Sequence, residues 1–71
     1  MKYKLIKETL FDDNIGSYES FGIEFESGEK VSDISVNKDT VEKFVNYINL
    51  KVVPFKYIHY EIEEFFEREG I

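Results

Sequence analysis

The sequence has no cysteine, and it has a single histidine and a single proline among 71 residues. Without cysteine the chain can form neither disulfides nor thiolate metal sites, and cysteine nucleophiles are excluded. A domain this short buries only about 60% of its unfolded surface and often relies on such staples. Stability must therefore come from apolar packing. The missing cysteine, and an N-terminal segment too charged for a signal peptide, predict a cytoplasmic protein.

Positive charge is also scarce, with nine Lys and Arg against fifteen Asp and Glu, for a net charge of −6. Direct nucleic-acid binding requires clustered Lys and Arg, so this balance argues against it. It also disfavours anionic membrane surfaces, and no run approaches the roughly 18 apolar residues of a spanning helix. The acidity leaves two alternatives open: a basic protein partner, or mimicry of a nucleic acid.

Few residues suit catalysis or cofactor binding. His59 is the only candidate general base of the usual kind, and helical spacing places it beside an apolar stripe and one turn before Glu63. The glutamates around it lack the paired histidines of a zinc motif, and Asp12 to Asn14 lack the ligand spacing of a calcium loop. We therefore predict no catalytic residue, no metal, no cofactor and no enzymatic activity.

Apolar residues at helical spacing dominate the second half of the chain. They predict two amphipathic helices, at about 38–50 and 54–68, with Asn37 or Asp39 capping the first, Pro54 opening the second and Gly70 ending it. One stripe comprises Val41, Phe44, Val45 and Ile48; the other comprises Phe55, Ile58, Ile62, Phe65 and Phe66.

The first half predicts three strands, at about 2–10, 18–27 and 30–36. Residues 18–27 alternate clearly, whereas residues 2–10 carry apolar side chains on both faces. A bulge near Ser32 and Asp33 would return Ile34 and Val36 to the core face. We therefore predict a single α+β domain over residues 1–71: a three-stranded antiparallel β-meander followed by two amphipathic helices packed on one face.

Four features of the second half occur in one order: Asp33-Ile34-Ser35, the Val41 to Ile48 helix, Val52-Val53-Pro54, and Ile62-Glu63-Glu64-Phe65. In these features, over roughly residues 33–67, the chain resembles a family of short uncharacterised proteins of anaerobic Gram-positive bacteria. The resemblance implies the fold and a bacterial origin. It implies no activity, since the family has none assigned.

Two patterns suggest a partner. Tyr57 and Tyr60 lie off the main stripe of the second helix, beside Glu61 and Glu64, and form either core-edge packing or a partner surface. In addition, one layer of helices covers one face of the sheet, so apolar residues of strand 2–10 (Tyr3 and Leu5, or Ile6 and Leu10) would stay exposed. We expect a homodimer, through the sheets or through the aromatic side of the second helix.

The most consistent function is a protein–protein interaction or regulatory module with an unidentified protein partner. The alternative is an acidic nucleic-acid mimic that inhibits a basic nucleic-acid-binding protein.

Overall fold

The structure, a computed structural model, describes residues 2–68. In this range an antiparallel sheet with strand order β1-β2-β3 is followed by helices that pack on one of its faces. The predicted α+β meander is therefore confirmed. The elements are β1 (Tyr3–Asp12), β2 (Gly16–Phe25), β3 (Lys30–Ser35), α1 (Lys38–Lys51), a 3₁₀ turn (Phe55–Tyr57) and α2 (Ile58–Arg68).

The β1–β2 hairpin is longer than the sequence predicts. Its pairing runs without interruption from Tyr3 opposite Phe25 to Asp12 opposite Gly16. The turn is short because the Asp12 carboxylate accepts a hydrogen bond from the Asn14 N–H at 2.7 Å, and because Gly16 adopts a positive φ of 83°. The hairpin tip therefore continues as a paired ribbon, where the sequence predicts a loop over residues 11–17.

The predicted bulge in β3 is confirmed. The β2–β3 register shifts between the pairs formed by Phe21 and Ile23, and Asp33 takes a left-handed conformation with φ of 55°. Gly22 lies under this bulge, where a Cβ atom would overlap the Val31 carbonyl oxygen. A glycine is therefore required at this close approach of two backbones.

The bulge restores only part of the expected core pattern. Ile34 packs against the core, as predicted, whereas the prediction that Val36 returns to the core face is wrong, since Val36 is exposed. β3 ends at Ser35, so Val36 already belongs to the connection that leads into α1.

Helix α1 begins at an asparagine cap and ends in a strained residue. The Asn37 side chain accepts from the Thr40 N–H at 3.2 Å, so Asn37 is the cap and Asp39 lies in the first turn. Val52 is left-handed, with φ of 55°, which is costly for a β-branched residue. The Val53 N–H compensates by donating to the Ile48 carbonyl at 3.2 Å.

The second helical segment starts later than predicted. Pro54 is extended, with φ of −67° and ψ of 147°, and precedes the 3₁₀ turn, so α2 itself begins at Ile58. The prediction that Pro54 is the first helical residue is therefore wrong. The predicted Gly70 cap lies outside the described residues. None of the helices in the described part of the chain is long and apolar enough to span a membrane.

The predicted apolar stripes form the core. All four residues of the α1 stripe are buried; in the second stripe Ile58 and Phe65 are buried, and the others are half-buried against them. Phe44 is fully buried, and its ring centroid lies 5.2 Å from that of Phe65 and 5.8 Å from that of Phe66. This aromatic cluster joins the two helices above the sheet.

Of the apolar residues expected on β1, Tyr3 is buried and Leu5 packs against the core, so their side chains lie under the helices. Ile6 and Leu10 alternate with them on the opposite, open face and are only half-buried. The open face therefore carries less exposed apolar surface than the sequence predicts.

Replacing Phe44 by alanine should lower the free energy of unfolding by about 3–5 kcal/mol, because it leaves a cavity at the junction of both helices. Urea denaturation measures the effect. Leu50, exposed on the same helix, provides the control: Leu50→Ala should change stability by less than about 0.5 kcal/mol. An unchanged midpoint for Phe44→Ala would contradict the packing of helix on sheet.

Candidate functional site

The tyrosines predicted as a partner surface are exposed. Tyr57 has 53% and Tyr60 has 61% of its surface accessible, although both neighbour the buried Ile58. The Tyr60 hydroxyl donates to the Glu64 carboxylate one turn beyond it, and this hydrogen bond raises the pKa of Tyr60. The Lys56 ammonium lies 5.2 Å from the Tyr57 ring centroid. We call the surface formed by Tyr57, Tyr60 and Glu64 the tyrosine flank.

Glu61 is paired across the helices, although its charge lies close enough to Tyr60 to raise the pKa of that hydroxyl further. Its side chain is only 12% exposed, and its carboxylate lies 3.4 Å from the Lys51 ammonium at the end of α1. An already paired and largely covered carboxylate is poorly placed to meet a partner directly. Tyr57, Tyr60 and Glu64 are therefore the exposed part of the predicted surface, whereas Glu61 also connects the helices.

Tyr47 is the centre of a second cluster, between the helices. Its hydroxyl oxygen accepts from the Lys51 ammonium and from the Arg68 guanidinium, each at 3.1 Å. Both cations also lie over its ring, at 5.0 and 5.3 Å from the centroid, while the ring packs 5.4 Å from Phe65. The hydrogen bonds from Lys51 and then from Arg68 lower the pKa of Tyr47.

The Tyr47 cluster fixes α2 beside α1, and so sets the direction of the tyrosine flank. The Lys51 ammonium bonds both Tyr47 on α1 and Glu61 on α2. The spacing of four residues between Tyr47 and Lys51 is a signal that sequence reasoning could have used. The contact with Arg68, twenty-one residues away, leaves no such local signal.

A polar cluster on the open face of the sheet is absent from the sequence analysis. The buried Ser20 hydroxyl donates to Asp33 Oδ1 at 2.6 Å, and the Tyr18 hydroxyl approaches Asp33 Oδ2 at 3.4 Å. The Ser32 hydroxyl donates to Glu8 Oε2 at 3.2 Å. Among the described residues, Glu8 Oε1 is buried without a hydrogen-bond partner.

This cluster holds the bulge. The Ser20 hydroxyl donates to the Asp33 carboxylate and lies 3.3 Å from the Ser35 carbonyl, so it joins β2 to the bulged part of β3. Within residues 2–68, no group of three or more carboxylates or histidines could hold a metal ion. The residues that surround the strained Asp33 therefore serve the backbone geometry.

His59 lies where the helical spacing places it, at the edge of the apolar stripe. It is exposed and, with Glu63, lines a shallow groove between β3 and α2. The groove has an apolar floor that includes Ile34, Ile62 and Phe66. Of the serines in the open-face cluster, only Ser32 lines this groove. His59 and the buried Ser20 hydroxyl therefore do not lie in the same groove.

Comparisons with models of protein families, with curated proteins and with solved structures found no match. The family resemblance of residues 33–67 therefore stays a prediction. Inference about function rests on the chemistry of the exposed surfaces.

The Tyr47 hydroxyl should titrate below the ordinary tyrosine pKa of about 10, because its two cationic donors favour the phenolate. The added stability is then present above that unfolded-state value and is lost as the pH falls through the lowered pKa. The difference between the phenolate absorbance titrations of the wild type and of Tyr47→Phe isolates this group.

Lys51→Met is the matched variant for that titration. It removes the first donor to Tyr47 and should move the midpoint upward, while Lys43→Met, an exposed lysine on the same helix, should leave it in place. A Tyr47 midpoint at or above the ordinary value in the wild type would show that the cluster does not form.

Proposed function

We propose that this chain is a non-catalytic, cytoplasmic interaction or regulatory module that binds a protein partner through the tyrosine flank. The observation that carries the proposal is the exposure of Tyr57 and Tyr60 on a segment whose apolar stripe packs into the core. Tyrosine supplies a large contact area for little conformational entropy and is enriched among the residues that dominate binding energy.

The flank also suggests what the partner looks like. Two rings next to the Glu64 carboxylate fit an apolar pocket edged by Lys or Arg. A chain of net charge −6 would associate faster with such a basic surface, particularly at low ionic strength. The Tyr47 cluster bonds α2 to α1, so the Tyr60 ring is presented by a fixed helix.

The nucleic-acid mimic remains a second candidate because of one feature of α2. Glu63, Glu64 and Glu67 are all exposed along this helix. A row of carboxylates can occupy a groove that normally holds phosphates, and its binding would depend on charge more than on the tyrosine rings. The two candidates therefore differ in which substitutions abolish binding.

The test compares variants in capture from a native lysate, followed by calorimetry with the purified captured protein. Tyr57→Ser with Tyr60→Ser should weaken binding by more than about tenfold, because paired loss of central aromatic anchors typically costs at least 1–2 kcal/mol. Leu50→Ser, at an exposed apolar residue of α1, is the matched control and should bind as the wild type does.

The outcomes separate the candidates. If Glu63→Gln with Glu67→Gln abolishes binding of a basic nucleic-acid-binding protein while the tyrosine variant retains it, the mimic replaces the tyrosine flank. If the tyrosine variant and Leu50→Ser bind every captured protein equally, the flank is not the binding surface. Circular dichroism of each variant establishes that the fold is intact.

Self-association is the remaining part of the proposal. The structure leaves exposed apolar side chains away from the tyrosine flank, including Phe11 and Ile15 on the β1–β2 hairpin. We propose a homodimer as the form that covers part of this surface.

A further inference from the structure

Within the described residues, β1 and β3 form the two edges of the sheet, and they differ in shape. The pairing of β1 is regular along all of its length, so its outer edge is straight. The β3 edge is interrupted by the bulge and by the left-handed Asp33. Bulges prevent an edge from adding another strand, so β1 is the edge on which a strand can be added.

The hydrogen bonds of Tyr3 show which groups of β1 point outward. The Tyr3 N–H donates to Asn49 Oδ1 at 2.8 Å, and the Tyr3 carbonyl accepts from Asn49 Nδ2 at 3.0 Å, so both groups point outward. The Lys2 carbonyl points inward instead, and it accepts from the N–H of Glu26, the residue that follows β2. Outward and inward pairs alternate along an antiparallel strand. The backbone groups of Leu5, Lys7, Thr9 and Phe11 are therefore directed to the open edge.

We propose that two copies of this chain join through their β1 edges, antiparallel, about a two-fold axis at Glu8. The pairing would extend each sheet into a continuous sheet of both subunits. Opposite residues then lie on the same face, as an antiparallel pair requires. The pairs on each side of the axis are Lys7 with the partner's Thr9, Ile6 with the partner's Leu10, Leu5 with the partner's Phe11, and Lys4 with the partner's Asp12.

The pairs in this register are complementary. Phe11 is 72% exposed in the single chain and would be covered beside Leu5 of the second copy. On the open face, the half-buried Ile6 and Leu10 would meet as apolar neighbours. Lys4 and the partner's Asp12 are opposite charges, and the symmetry produces this pair twice.

Asn49 selects this register over one that would pair Glu8 with the partner's Lys4. A register centred on Ile6 would place the partner's Thr9 opposite Tyr3, whose N–H and carbonyl already bond to Asn49. Centring on Glu8 starts the new ladder at Leu5, where the outward groups are free of that contact. The register centred on Glu8 therefore gives the longer ladder and also leaves the Asn49 contact intact.

The proposed register has one unfavourable pair, and it is diagnostic. The two Glu8 residues face each other at the axis, where like charges repel, although each carboxylate leans across the sheet toward β3. Each is partly satisfied from within its own chain, since Ser32 donates to Glu8 Oε2. In the register centred on Ile6, by contrast, Glu8 would face the partner's Lys4. Neutralising Glu8 therefore strengthens one dimer and weakens the other.

This inference rests on the homodimer of the proposed function and specifies its interface. It is independent of the tyrosine flank, because α2 lies against α1 and lines a groove with β3, at the other edge of the sheet.

Sedimentation equilibrium of the full chain over a range of concentrations tests the proposal. The wild type should shift from the 8.5 kDa chain mass toward twice that mass as concentration rises. Glu8→Gln should tighten the dimer several-fold. Lys4→Asp should weaken it about tenfold, since it turns both symmetry-related ion pairs into like-charge pairs, and Lys4→Asp with Asp12→Lys should recover most of the loss.

Lys43→Asp is the control for total charge. It makes the same change of charge at an exposed residue of α1, away from the strand edge, and should dissociate as the wild type does. Because Asp12 also closes the hairpin turn, Asp12→Asn keeps an oxygen that can accept from Asn14 while removing the charge. It should weaken the dimer without loss of the β-sheet signal in circular dichroism.

The failures are distinguishable. A single 8.5 kDa species at every concentration overturns the homodimer and the β1 interface together. A dimer that Lys4→Asp and Asp12→Asn leave unchanged overturns the β1 interface alone. If Glu8→Gln weakens the dimer, and the charge swap Lys4→Glu with Glu8→Lys dimerises as the wild type does, the dimer uses the register centred on Ile6. That result overturns the proposed register.

Discussion

Tyr3 ties the first strand to the end of the first helix, and the arrangement of the other elements depends on this contact. Its hydroxyl donates to the Val53 carbonyl at 2.6 Å, and its backbone N–H and carbonyl bond to the Asn49 side chain. These bonds join residues 46 and 50 positions apart. Since the Tyr3 ring is buried, loss of the hydroxyl would leave the Val53 carbonyl without its donor in the core.

The position of α2 follows from where Tyr3 holds Val53. The left-handed Val52 reverses the chain, Pro54 is extended, and the 3₁₀ turn then brings Phe55 within 6.1 Å of the Phe25 ring. From that start, Phe65 and Phe66 reach Phe44. With the apolar stripe turned inward, the 3₁₀ turn presents Tyr57 and α2 presents Tyr60 to solvent. The tyrosine flank is therefore a consequence of the way the helices are connected.

Sequence periodicity predicted the elements because it records which face of each element is apolar. The α1 stripe is buried as its spacing indicates, and the broken alternation around Ser32 and Asp33 located the bulge. Local pattern was less informative at the ends of elements. Asn37 and Asp39 were both possible caps, and the capping-box spacing of Asp39 with Glu42 pointed to the residue that is not used. Pro54 suits either a helix start or an extended turn.

The site was predictable in composition but not in its connections. Spacing on the second helix grouped the tyrosines with Glu61 and Glu64, because all four lie off the apolar stripe. The pairing of Glu61 with Lys51 depends on how the helices dock, which only the fold determines. The contacts of Ser20 and Gly22 also depend on the fold. Ser20 bonds to Asp33 of another strand, and Gly22 lies against the Val31 backbone.

The two edges of the sheet show why long-range contacts matter for function as well as for stability. At β3, Gly22 admits the Val31 backbone and Ser20 fixes Asp33, so the bulge closes that edge. At β1, Asn49 closes the strand only at Tyr3 and leaves the stretch from Leu5 regular. A regular edge with exposed backbone groups either associates or must be protected. In this chain the backbone contact with Asn49 is confined to one end, the exposed Lys4 and Lys7 add charge along the strand, and the exposed Phe11 lies at the other end.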